Sequence, residues 1–161
     1  MRRVIRAGLA LGCLLVTIVT TVVAHADDAV LLFTGKVPGG EVKLTLDEIA
    51  KLPQRTLTEQ PTDFPKPMEF KGPALADVLK LAGVTEGDLS LLASDDYKSE
   101  ITADEIKAFD PILAIEKDGV RMAPDDFGPF YVMWPFKENP EIDNEKFQSK
   151  AIWQLIKVEV K

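Results

Sequence analysis

The chain has one cysteine, Cys13, and one histidine, His25, and both lie in its first 26 residues. Were that stretch removed, the remainder would offer no thiolate nucleophile, no imidazole acid or base, no Cys or His metal ligand and no disulfide. A Ser-His-Asp triad would be excluded with them. Carboxylates, amines, hydroxyls and aromatic faces are left to do any chemistry. In Ser94-Asp95-Asp96-Tyr97, two carboxylates and a phenol share one turn. Such a turn can meet the donors of a ligand, or its side chains can bond their own backbone. Ser149-Lys150-Ala151-Ile152-Trp153-Gln154 gathers a hydroxyl, an ammonium and an indole. Lys150 can face an anionic group or the Asp95–Asp96 turn, or simply be a surface lysine. Gly128-Pro129 leads into Phe130-Tyr131-Val132-Met133-Trp134, where glycine lets another group approach the backbone closely. Glu138, Glu141, Asp143 and Glu145 are hard oxygen donors, but their spacing fits no calcium loop and a solvated acidic loop is expected. The chain contains no glycine-rich phosphate loop.

The first 26 residues have the pattern of an export signal. Arg2, Arg3 and Arg6 precede the apolar run Ala7 to Val23, and Ala24-His25-Ala26 forms a small-x-small cleavage site before Asp27-Asp28. This pattern predicts a signal peptide over residues 1–26, export by the general secretory route, and a periplasmic domain over residues 27–161 that is not inserted in the membrane. Without those three arginines, the 19 basic residues fall to 16 against 26 acidic ones, a net charge of −10. Only Arg55 and Arg121 remain as arginines. So acidic a surface is unsuited to nucleic acid or an anionic membrane.

Elements follow from local pattern. Val30 to Thr34 and Glu41 to Leu44 read as a hairpin across Val37-Pro38-Gly39-Gly40. Thr45-Leu46-Asp47-Glu48 and Thr102-Ala103-Asp104-Glu105 are capping boxes that open short helices. A third helix starts at Pro73, carries Leu75, Val78, Leu79 and Ala82 on one face, and stops at Gly83. Strands are expected at Gln54–Glu59, Met68–Lys71, Leu89–Ala93, Tyr97–Ile101, Ile112–Glu116, Phe130–Trp134 and Trp153–Val160, with a tight turn at Lys117-Asp118-Gly119. Lys137 to Lys146 reads as a polar loop. The result is one β-rich α+β domain, with a mixed sheet and three short helices.

The order of these motifs resembles the sulfite-oxidase-type molybdopterin-binding domain. Leu44-Thr45-Leu46-Asp47-Glu48-Ile49 with Leu52-Pro53, then Phe70-Lys71-Gly72-Pro73, Ser94-Asp95-Asp96-Tyr97, Gly128-Pro129 and the closing Trp153 to Val160 carry the resemblance. It is strongest to short exported members of that superfamily of oxidoreductases, described as pterin-binding. The resemblance implies that fold and a cofactor cleft between the Asp95–Tyr97 turn, the Gly128–Trp134 segment and the Ser149–Trp153 segment. Arg55 would stand near its rim. The departures are specific. Active enzymes of the family hold molybdenum through a cysteine located where this chain has Arg55-Thr56-Leu57-Thr58-Glu59-Gln60, and the family's Gly-x-Pro-x-Arg stretch reads Gly128-Pro129-Phe130-Tyr131 here.

The expectation is therefore a binding or accessory module on this fold, serving an unidentified small ligand or a periplasmic or membrane protein partner. The alternative is an oxidoreductase holding molybdopterin without a protein thiolate. No catalytic residue, no metal ligand and no stoichiometric cofactor are expected; molybdopterin enters through the resemblance alone. The expected ligand-binding residues are Arg55, Asp96, Tyr97, Trp134 and Lys150. Tyr97 and Trp134 would supply flat contact area, Arg55 and Lys150 would attract an anionic group, and Asp96 would bond the ligand or hold Lys150.

Overall fold

The computed structural model describes residues 29–61 and 64–161. The expected export signal, with Cys13 and His25, lies outside them. β1 (Val30–Gly35) and β2 (Glu41–Thr45) form the first hairpin, and Gly39 and Gly40 at its turn have positive φ values that glycine adopts without strain. β2 runs directly into α1 (Leu46–Ala50), where Thr45 Oγ1 accepts from the Glu48 amide at 3.2 Å and Glu48 accepts from the Thr45 amide at 2.8 Å. β3 (Gln54–Glu59) pairs antiparallel with β4 (Met68–Pro73). After α2 (Leu75–Leu81) come β5 (Leu89–Ala93), β6 (Lys98–Ile101) and α3 (Ala103–Phe109). β7 (Ile112–Ala114), β8 (Glu116–Lys117), β9 (Val120–Arg121) and β10 (Tyr131–Met133) are short. α4 (Glu145–Gln148) and β11 (Leu155–Val160) close the chain.

The described residues form three sheets. The largest has the order β2-β1-β11-β5-β6; it is mixed, because β1 and β11 run parallel while the other pairs are antiparallel. A second has the order β3-β4-β8-β9, and β7 pairs with β10 as a ribbon. Strand alternation directs Leu31, Phe33, Leu89, Leu91, Val158 and Val160 into one buried core with Leu75, Val78 and Leu79 of α2. The domain is thus β-rich α+β with a mixed sheet, and the expected apolar face of α2 is the buried one.

Two local readings need correction. Pro73 belongs to β4, and α2 begins two residues later. Ala74 stays extended because it bridges to Ile112, and the Leu75 amide donates to the Pro111 carbonyl at 2.8 Å. The polar stretch Lys137 to Lys146 is not all loop. Among the described residues a fourth helix, α4, starts within it, where the Asn144 side chain accepts from the Phe147 amide at 3.3 Å. The Phe130–Trp134 segment is fully buried and sits in the β7–β10 ribbon.

Candidate functional site

The three segments expected to surround a cleft do meet. Ala93, Asp95 and Tyr97 from the β5–β6 turn, Tyr131 from β10, and Ser149, Ala151, Ile152 and Trp153 between α4 and β11 surround a cavity of about 340 Å³. Pro61 after β3 and Glu145 and Gln148 of α4 complete the lining. The volume is at the small end of the range for ligand sites, and the wall is largely apolar. Tyr97 is 46% exposed and Trp153 is half-buried, and both line the cavity; Tyr131, also in the lining, is fully buried.

Each piece of the wall has a structural reason. The turn places Asp96 in the left-handed region at φ 68°, and Asp95 Oδ1 accepts from the Tyr97 amide at 3.1 Å. This local bond orders the turn from which Tyr97 reaches across, and its hydroxyl donates to the Ser149 carbonyl at 2.8 Å. The opposite wall is set by Trp153, whose ring packs edge-on to Phe127 and Tyr131 at 5.6 and 6.1 Å. Phe127 continues to Phe64 at 4.8 Å, Phe64 to Phe70 at 6.4 Å, and Phe70 returns to Tyr131 at 5.3 Å. These five aromatic residues make a closed ring that fixes the orientation of Trp153.

Of the five expected ligand-binding residues, Tyr97 alone lines this cavity. Trp134 is fully buried; it packs with Phe109 and Phe147, and its indole N–H donates to the Lys150 carbonyl at 3.1 Å. It holds the backbone of the Ser149–Trp153 wall and has no exposed face. Lys150 turns away from the Asp95–Asp96 turn to α3, where Nζ lies 2.7 and 2.6 Å from the two oxygens of Glu105. Arg55 donates to the Asp110 carbonyl and carboxylate at 2.9 and 2.7 Å and to Glu138 at 2.7 Å, clamping β3 to the end of α3 and to the acidic segment. Asp96 is exposed at the turn tip, while its neighbour Asp95 is the one at the cavity. Glu145, Gln148 and Ser149 join the lining as a set that the polar-loop expectation for Lys137 to Lys146 does not contain. Their i, i+3, i+4 spacing marks one helical face, and Asn144 as a cap was the available signal.

The titrating groups of note lie beside the cavity rather than in it. Burial pushes Glu105 up, but hydrogen bonds from Lys150 and the Thr102 amide, with the charges of Lys150 and Lys146, outweigh it and hold the carboxyl below its usual range. Glu59, 2% exposed at the end of β3, is pushed up by burial despite accepting from the Lys137 amide at 3.3 and 3.2 Å. Among the described residues, no group of three or more His, Cys, Asp or Glu side chains is arranged to hold a metal ion, and no helix is long and apolar enough to cross a membrane.

The close approach expected at Gly128 is made by the protein itself: a side chain there would run into the Met122 backbone. The cavity residues fit molybdopterin poorly. Nothing in the described part of the lining can supply a thiolate, its charged members are the carboxylates Asp95 and Glu145, and the two cations expected to meet an anionic cofactor are held by Asp110, Glu138 and Glu105.

No protein-family model and no curated protein matches the chain. Among solved structures, it is similar to the sulfane dehydrogenase SoxCD from Paracoccus pantotrophus, with a TM-score of 0.63 and 14% sequence identity. The match covers 86% of this chain and 39% of that one, so the chain spans well under half the length of the structure it resembles. At this identity the likeness concerns the fold, which is of the sulfite-oxidase-like type.

Proposed function

We propose that this chain is a non-catalytic binding module, exported and processed before Asp27, whose cavity takes a flat heterocycle of the pterin class without a protein-bound metal. The observation that carries this reading is that Tyr97 and Trp153 both line the cavity, the second ring being held by an aromatic network. Flat faces suit a planar ring, and the carboxylates of Asp95 and Glu145 can accept from its N–H edge. The pterin class comes from the family resemblance; the described lining residues include no thiolate donor, which supports a ligand held without molybdenum. The oxidoreductase alternative would need another group in place of that thiolate.

Calorimetric titration with neopterin tests the proposal. Saturable binding is expected, weakened by about tenfold or more in Trp153→Ala and in Tyr97→Ala, since stacking on one aromatic contributes about 1–3 kcal/mol. Unchanged affinity in both variants would refute it. N-terminal sequencing of the protein recovered from the cell checks the export half. A chain beginning at Asp27 is expected; a retained Met1 or a lipid on Cys13 would contradict it.

A further inference from the structure

Among the described residues, the cavity lining contains two carboxylates, Asp95 and Glu145, both on exposed residues, and no lysine or arginine. Three cations with a bearing on the site are directed elsewhere. Lys146 and Lys150 flank the Glu145–Ser149 wall, but both ammonium groups go to Glu105, at 3.5 and 2.6 Å, and lie over the Phe147 ring at 5.4 and 5.5 Å. Arg55 is taken up by Asp110 and Glu138. One oxygen of Asp95 accepts from the Tyr97 amide, which pins the carboxylate at the cavity edge. A ligand carrying phosphate would therefore meet two like charges with no cation in the described lining to offset them, and a largely apolar wall that solvates it poorly.

From this we infer that Asp95 and Glu145 act as a charge filter, admitting neutral or cationic flat ligands and turning away phosphorylated ones. The inference rests on the binding-module reading and narrows it: the ligand class is the unphosphorylated heterocycle, not a phosphate-bearing cofactor. Asp95 and Glu145 are then specificity-determining residues, acting on the ligand's charge rather than on its ring.

Fluorescence quenching tests the filter without any ligand. Trp153 lines the cavity while Trp134 is fully buried, so quenching by small solutes reports Trp153. Caesium should quench it more than iodide does. Asp95→Asn/Glu145→Gln should raise iodide quenching several-fold, while the side-chain carbonyl introduced by Asp95→Asn can still accept from the Tyr97 amide. Glu69→Gln/Glu86→Gln, which removes two carboxylates outside the cavity, should change it little. Equal quenching by both ions in the native protein, or no difference between the two double variants, would overturn the filter. Calorimetry with neopterin and neopterin triphosphate tests the consequence: the triphosphate should bind about tenfold more weakly or worse, and the Asp95→Asn/Glu145→Gln variant should narrow the gap. Equal affinities in the native protein overturn the inference and leave the binding module standing. If neither compound binds, the pterin reading fails, and the quenching result still decides the filter.

Discussion

Glu105 does two jobs with one carboxylate. It accepts from the Thr102 amide at 2.9 Å to cap α3, and it takes the Lys150 ammonium that would otherwise stand beside the cavity wall. Both side chains are nearly buried, at 13% and 12% exposure. Glu105→Gln should therefore cost about 1–3 kcal/mol in a denaturant melt. Because the folded carboxyl titrates below its ordinary value, this stabilisation is complete above that value and is lost as pH falls through the lower, folded one. Glu59 works in the opposite sense. Its folded carboxyl titrates above the ordinary 4.5, so stability should decline as pH rises from 4.5 through the folded value. Glu59→Gln keeps an acceptor for the Lys137 amide and removes the buried charge. The variant should melt at higher denaturant than the native protein at pH 7 and show a flatter profile above pH 4.5. A variant less stable than the native protein at pH 7 would show that the charged form is the one the site favours.

At the scale of elements, α2 and β4 carry the clearest expectations. Leu79→Ala should cost about 2–5 kcal/mol, since Leu79 is buried with Leu75 and Val78 against the core. A loss below about 0.5 kcal/mol, the size of an ordinary surface change, would place that face in solvent. Gly72→Ala should be destabilising although alanine is a small residue, because any side chain there would run into the Leu113 carbonyl of β7. These elements were legible because their signals are local: a Thr-x-x-Glu box, a 3–4 apolar stripe, and a Lys-Asp-Gly turn that places Asp118 and Gly119 at positive φ. What escaped was non-local. Lys150 and Glu105 are 45 residues apart, and Arg55 and Asp110 are 55 apart. Nothing in the spacing of either pair tells that a carboxylate elsewhere will claim the cation. The fixed φ of Pro73 suits the first turn of a helix, whereas a bridge from Ala74 to Ile112 keeps the chain extended through Ala74, and the helix starts at Leu75. The cavity's position was readable from the ordered segments; its chemistry was not, because that depends on which way each side chain turns.

For the whole molecule, the two aromatic groups have separate tasks. The ring of Phe64, Phe70, Tyr131, Trp153 and Phe127 supports the cavity, while Trp134, Phe109 and Phe147 lock α3 and α4 behind it. Truncation of Trp134 should therefore destabilise the fold by about 3–5 kcal/mol, whereas Tyr97→Ala should affect ligand binding far more than melting. The central claim is that a fold of the sulfite-oxidase-like type here holds a small heterocycle and no molybdenum. Its most direct test is joint metal and extractable-pterin analysis of the protein purified from the cells that make it. The account expects an unphosphorylated pterin released on denaturation, with molybdenum far below stoichiometric. Stoichiometric molybdenum accompanied by the phosphorylated, dithiolene-bearing cofactor would contradict it.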